Sequence, residues 1–399
     1  MNLKWLIGAV ISVASISPML AQSGNSINPP TTPQTAPMTA SERKNLDMVL
    51  KLWREVIEAH HTELAETYLA EDYIQHNPNV PTGRAAFIKL FSGVPPTNPM
   101  PEHLAHPPVV DGAKGDFVWL VFEDESKDPH DPSRTYHYNT FDVLRIQNGK
   151  IQEHWDSAKR VSGSPDFILS TAPAASTWNT GKLSAQEQGN IGLATEEFKD
   201  MLQTGRLEHA DQTMDIGFIQ HNPNVPQGRE GFKQYVSGLD GDKRQQINPE
   251  WKFAPVLTLA NGPYLLMMWN VPGKDPSDPA KTYVWNHFDM LRMEDGLEKE
   301  HWDEASIERK KVTVDAKQLL DYPGNYALAP KFIVAVTLED GHLAAQATGQ
   351  PKLALAAESN TVFFLENAEL AVEFIKDSDG KVTGMVVHQG GQDMKAPKQ

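Results

Sequence analysis

Residues Tyr73 to Phe87 read YIQHNPNVPTGRAAF, and the stretch returns as FIQHNPNVPQGREGF at Phe218 to Phe232. A second pair keeps the register: DPSRTYHYNTFDVLRIQNGKIQEHWD, Asp131 to Asp156, returns as DPAKTYVWNHFDMLRMEDGLEKEHWD, Asp278 to Asp303. The chain therefore carries one unit twice, each of roughly 120 residues, the size of a compact domain. Working outward, the first unit takes residues 41–161 and the second 184–310, with a Ser, Pro and Ala-rich linker at 162–183.

Each unit opens on a helix. Thr39 and Glu42 have capping-box spacing, and Leu46, Val49, Leu50, Trp53 and Ile57 follow at helical period. Ser184 and Glu187 repeat the box ahead of Ile191, Ala194, Phe198, Met201 and Leu202. A short helix is expected over Thr62 to Ala70, then an irregular QHNPNVP segment held open by Pro78 and Pro81, then a helix through Phe87. FVWLVFE at Phe117 to Glu123 matches YLLMMWN at Tyr264 to Asn270 as strands. A long strand through Phe141 or Phe288 follows, with a turn at Asn148-Gly149 or Asp295-Gly296 and a return strand ending in EHWD. Helices followed by a curved antiparallel sheet make an α+β unit. The alternation of Phe141, Val143, Leu144 and Ile146 is untidy and suggests a bulge. From about Lys311 the helical signals give way to short strands, predicting a small all-β accessory domain at 311–399.

The 399 residues carry 52 Asp and Glu against 36 Lys and Arg, a formal net charge of −16. That balance argues against nucleic acid as a partner, because phosphate contacts need clustered cations. With no cysteine in the chain, disulfides, thiolate zinc sites, a thiol nucleophile and a lipobox anchor are excluded. Lys4, the apolar run from Trp5 to Ile16 and a cut after Ala21 read as a signal peptide at 1–21. The expectation is a secreted or periplasmic protein with no membrane contact after cleavage. Residues 22–40, rich in Pro, Thr, Ser and Asn, read as a disordered linker.

The HNP and GR residues, together with FDVLR, NGKI and EHWD, resemble the SnoaL-like branch of the nuclear-transport-factor-2-like (NTF2-like) superfamily, and in particular its predicted aldol-condensation proteins. The resemblance runs over about residues 41–160 and again 184–307. It implies two cone-shaped domains in tandem, each with helices closing a bent sheet around an apolar cavity. It also implies polyketide-cyclase-like, lyase or isomerase chemistry, or small-molecule binding without turnover, because the superfamily holds both. Members commonly dimerise through their sheets, which implies an intrachain pseudo-dimer or a homodimer. The C-terminal segment, with YPGNY and DGKVTGMVVHQGG, resembles the small β domain appended to β-lactamase-related serine hydrolases. No Ser-x-x-Lys nucleophile accompanies it in a hydrolase context, so it is expected to be accessory.

In EHWD, His154 and Asp156 lie two apart, which on a strand puts both on one face. A carboxylate beside an imidazole is suited to moving protons. His76 and Asn77 are candidate donors to an enolate oxygen, and His301, Asp303, His221 and Asn222 are the counterparts in the second unit. The resemblance implies cofactor-free removal of a proton next to a carbonyl, with a small apolar carbonyl compound as ligand. Three other readings stay open: residues that only shape turns and caps, binding without turnover, and a scaffold whose β domain makes the interactions. A metal held by His76, His154 and Asp156 is a further rival, but no close-spaced ligand motif supports it, and no metal or cofactor is expected. Asp142 and Asp289 also correspond, and each needs a partner if its strand buries it.

Overall fold

In the computed structural model, which describes residues 25–92, 94–131, 133–164, 177–239, 250–329, 332–366, 368–389 and 392–399, both capping boxes form. The expected signal peptide and residues 165–176 of the expected linker lie outside the described residues. The first unit runs β1 (Gln34–Thr35), α1 (Ala40–Leu52), a π-helical turn Trp53–Glu58, α2 (Ala65–Tyr68), β2 (Leu69–Gln75), α3 (Arg84–Phe91), β3 (Val110–Lys114), β4 (Phe117–Lys127), β5 (Thr135–Gln147) and β6 (Lys150–Asp156). The helix expected to reach Ala70 stops at Tyr68. Leu69 enters β2 instead, because burying Leu69, Tyr73 and Gln75 beside β6 needs an extended chain.

The second unit repeats the order: α4 (Ala185–Glu196), a π-helical turn Glu197–Gln203, α5 (Ala210–Thr213), β7 (Met214–Gln220), α6 (Gly228–Gly238), β8 (Leu257–Asn261), β9 (Tyr264–Lys274), β10 (Thr282–Glu294) and β11 (Leu297–Asp303). The sheets are ordered β1-β3-β4-β5-β6-β2 and β7-β11-β10-β9-β8. They are mixed rather than antiparallel throughout, since β2 lies parallel to β6, β7 parallel to β11 and β1 parallel to β3. In each unit a helix brings the chain back before the parallel strand, a path that a hairpin cannot supply. Asn148 and Gly149 (φ 53° and 72°), like Asp295 and Gly296 (55° and 73°), adopt the left-handed conformation that a tight two-residue hairpin turn demands.

The bulge lies on the return strand, not on β5. Arg145 pairs with Glu153 but Ile146 with Ile151, leaving Gln152 as the extra residue; in the second unit Lys299 is extra between Glu298 and Glu300. Along β5 the alternation is regular. It looked untidy because both faces are buried. Asp142, Leu144 and Ile146 face the unit's own helices, whereas Phe141 and Val143 face the other sheet. There Phe117, Trp119, Phe141 and Trp155 form one apolar cluster with Leu266, Phe288, Met290 and Trp302, and Phe141 stacks on Phe288 at 5.4 Å.

Residues 25–38 depart from the disordered linker expected there. Asn28 Nδ2 donates to the carbonyls of His137 (2.8 Å) and His221 (2.7 Å), and the Thr31 amide donates to Glu123 (2.8 Å). Polar side chains, rather than an apolar period, seat this segment along the junction of the units, which is why composition alone misreads it. Beyond α7 (Ala316–Leu319), eight strands from β12 (Gly324–Ala329) to β19 (Gln392–Pro397) meander in order. Tyr326 bridges to Lys398, so the first and last strands meet and the region is a near-barrel. Its core is continuous with that of the first unit. No helix among the described residues is long and apolar enough to cross a membrane.

Candidate functional site

The inner face of each sheet carries a short polar stripe. On the first, β5 and β6 place Asp142 directly opposite Asp156, and His154 one inward position away. His154 Nε2 lies 2.7 Å from Asp142 Oδ1. The other ring nitrogen is committed: Nδ1 sits 3.0 Å from Gln75 Oε1, which also accepts from the Asn77 amide at 3.0 Å. The Asn77 amide can only donate, which fixes the orientation of the Gln75 amide, and Gln75 Nε2 donates to Tyr73 Oη at 3.1 Å. Nδ1 therefore carries its hydrogen, and Nε2 is the position that exchanges a proton.

The HNPNVP loop supplies the rest. The His76 amide donates to the His154 carbonyl (3.0 Å), turning the loop over the end of β6. Asn77 Nδ2 then donates to Asp156 Oδ2 at 2.7 Å, while Asn77 Oδ1 accepts from the Asn79 amide at 2.7 Å. The second oxygen of Asp156 accepts from the Ala158 amide (3.1 Å). One oxygen of Asp142, Oδ2, has no hydrogen-bond partner although it is buried. Trp53 and Phe122 stack above the stripe, and Trp53 meets the His154 ring edge-on at 6.3 Å.

Burial dominates the proton affinities. It pushes Asp142 well above the usual carboxylate range and His154 below the usual imidazole range. Both shifts favour the neutral form of the Asp142–His154 contact over an ion pair. Asp156 is pushed up to about 6 by burial, against the opposing pull of His154 and the Asn77 bond.

The structure brings His154, Asp156 and Asn77 together, and likewise His301, Asp303 and Asn222. It does not bring in His76 or His221. Both stand on the opposite face: His76 stacks on Trp155 at 4.6 Å and contacts Glu153 at 3.1 Å, and His221 stacks on Trp302 at 5.0 Å and contacts Glu300 at 2.8 Å. Glu153 and Trp155 alternate with His154 and Asp156, so a side chain touching the former cannot reach the latter. The metal set that included His76 fails for the same reason. Among the described residues, the groups whose ligand atoms all lie within 4.8 Å of one another are instead Asp142, His154 and Asp156, and Asp289, His301 and Asp303. Sequence reading named Asp142 as a strand charge in need of a partner without placing it in the site, and it passed over Gln75. Asp142 was visible as a charge in an apolar strand with a counterpart in the other unit, whereas nothing in the pattern marked Gln75.

The second unit keeps the bonds but alters the charge. Asn222 Nδ2 donates to Asp303 (2.7 Å), and His301 lies 2.9 Å from Gln220 Oε1 and 2.8 Å from Asp289. His287, where the first unit has Thr140, lies 3.0 Å from the other oxygen of Asp289 and 2.6 Å from Glu304. Burial opposes ionisation of Asp289, but two imidazoles, with His287 the stronger influence, hold its carboxyl well below the usual range. Burial likewise opposes charge on the imidazoles, yet their carboxylate partners raise both.

Residues 50–154 match the family model described as SnoaL-like domain. This part of the chain is similar to SnoaL-like domains. Residues 308–397 match a model described only as a domain of unknown function, DUF3471. Among solved structures, the chain is similar to TsrD from Streptomyces laurentii, 20% identical over 31% of this chain and 90% of that one, with a TM-score of 0.22. A Jannaschia sp. CCS1 protein described as a candidate SnoaL-like polyketide cyclase is 15% identical over 31% of this chain and 88% of its own (TM-score 0.24). IdmH from Streptomyces antibioticus, described as a candidate polyketide cyclase, is 17% identical over 29% and 90% (TM-score 0.21). No curated protein matches the chain.

Proposed function

We propose that the SnoaL-like domain is a cofactor-free acid–base centre that removes a proton next to the carbonyl of a small apolar compound, in aldol-type cyclase, lyase or isomerase chemistry. The observation that carries this reading is the buried Asp142–His154–Asp156 set, in which a tautomer-locked imidazole stands between two carboxyls of raised proton affinity. Asp156 takes the C–H proton. The proton held by the Asp142–His154 pair is delivered to the enolate oxygen by Asp142, whose Oδ2 has no other partner, with Nε2 supporting the carboxyl from its other oxygen, and both transfers reverse when product forms. Asn77 aims Asp156 and Gln75 aims His154.

The second unit, of matching element order, we read as a second SnoaL-like cone, packed on the first through the sheets as an intrachain pair. Its stripe is occupied by matched ion pairs, which favours binding without turnover there. Residues 1–21 are proposed to direct export.

Hydrogen–deuterium exchange tests the catalytic reading. A panel of small apolar ketones is incubated with the protein in D2O and followed by NMR. Exchange at the α-carbon faster than in buffer, and lost in Asp156→Asn, is the expected outcome. Exchange no faster than buffer across the panel, or undiminished in that variant, sinks the proposal.

A further inference from the structure

Superposing the units by their shared motifs aligns Thr39 with Ser184 and Glu153 with Glu300, and brings two substitutions to light. Leu52 and Ile151, both buried in the apolar core of the first unit, become Glu197 and Glu298 in the second. Glu197 opens the π-helical turn, and the bulge at Lys299 rotates Glu298 onto the same face as His301 and Asp303. The two glutamates are almost completely buried, at 3% and 1% exposure. They hydrogen-bond each other as a carboxyl pair, and beyond that contact Oε2 of each has no hydrogen-bond partner.

Two carboxyl groups stand where the first unit buries a leucine and an isoleucine, a change that core stability does not reward. The local cations are already matched: His287 lies between Asp289 and Glu304, and His301 lies on Asp289. A proton shared within the glutamate pair leaves one negative charge, drawn toward a His301 that already serves Asp289. Around it the walls are apolar and aromatic. Met293 is the direct cross-strand partner of Glu298, and Phe198 and Trp269 lie 5.3 Å apart at the helix side of the same sheet face. No third His or carboxylate joins Glu197 and Glu298 in a compact ligand group among the described residues, so the pair suits an organic cation better than a metal ion.

We propose that the interior of the second unit binds a small organic cation, its ammonium group held between Glu197 and Glu298 and its apolar part against Phe198, Trp269 and Met293. The proposal rests on the binding reading of the second unit and is independent of catalysis in the first. An ammonium between the two carboxyls supplies several donors where the pair has only a proton to share, and aromatic faces favour a desolvated cation.

The test is calorimetric titration of the full chain with n-butylammonium chloride, with 1-butanol and sodium butyrate as matched controls. Saturable binding of one ammonium per chain is expected, with neither control binding. Glu197→Leu combined with Glu298→Ile installs the pair that the first unit already accommodates, and should weaken binding by about 100-fold. Glu197→Gln alone, which keeps shape and polarity, should weaken it in the same direction. Binding in Asp156→Asn should be unchanged, which separates failure of this proposal from failure of the catalytic one. No saturable binding, equal binding of 1-butanol, or full affinity in the double variant would overturn it. So would a double variant that is merely more stable, with no change in response to ammonium, because the pair would then hold only a proton.

Discussion

Asp142 and Asp156 are direct cross-strand neighbours on the inner face of the first sheet, both buried, with His154 bonded to the former and Asn77 to the latter. Two carboxyls that close, with one imidazole between them, can hold charge or protons but not full ionisation of both at low cost.

The pH dependence follows from Asp156. Its carboxyl is pushed up to about 6 by burial, so as a base it should become active as pH rises through that value. Stability should move the opposite way. A carboxyl with a raised folded-state affinity binds more protons folded than unfolded, so its contribution is present at low pH and is lost between the unfolded value near 4 and about 6, by about 3 kcal/mol. Asp156→Asn should therefore abolish α-proton exchange while leaving the melting temperature at pH 7.5 equal or higher. A drop of many degrees there would mean that Asp156 is held for structure.

Gln75 is the least conspicuous member of the site, yet its Oε1 fixes the His154 tautomer and anchors the Asn77 amide. Gln75→Leu strands two buried donors, at a cost of about 1–3 kcal/mol for each. Gln75→Glu keeps the acceptor but adds a charge that draws a proton onto His154. The first variant should lose both stability and exchange activity, and the second should keep the fold and shift the pH profile. Identical profiles for Gln75→Glu and the parent would contradict the assigned tautomer.

The duplication made much of this legible. EHWD placed His154 and Asp156 on one face, and HNPNVP placed Asn77 in a loop that the prolines keep irregular, so the core of the site could be read from spacing. His76 misled because it adjoins Asn77, and only the course of the loop over β6 decides that its ring turns outward onto Trp155. The sheet's second buried face was hidden for a related reason: Phe141 and Val143 look like a disordered pattern until a second sheet covers them. Residues 352–357, KLALAA, and 392–397, QDMKAP, form strands without β-branched residues, because pairing in the near-barrel outweighs local preference.

The seam between the sheets carries its own prediction. Phe288 is fully buried and stacks on Phe141 with an interplanar angle of 4°. Phe288→Ala removes a large side chain from a two-sided core and should cost about 3–5 kcal/mol. Denaturant unfolding would read this as a lowered midpoint, with both units affected. If the tryptophans of the first unit reported no change, the two sheets would not be coupled in solution.

Arg160 ties the site loop of the first unit to the second unit. It donates to Asp275 Oδ2 at 2.5 Å, to the Pro78 carbonyl at 2.8 Å and to the Ser164 carbonyl at 3.0 Å. Burial opposes charge on Asp275, but the Ser277 amide and the guanidinium hold its carboxyl below the usual range. Arg160→Met leaves that carboxylate buried without its cation and frees the loop next to Asn77. The expected loss is about 3–5 kcal/mol, partly recovered when Asp275→Asn removes the stranded charge. Activity should not recover with stability, because the neutral pair restores no hold on the Pro78 carbonyl. A double variant with full exchange activity would show that the seating of Asn77 does not depend on Arg160.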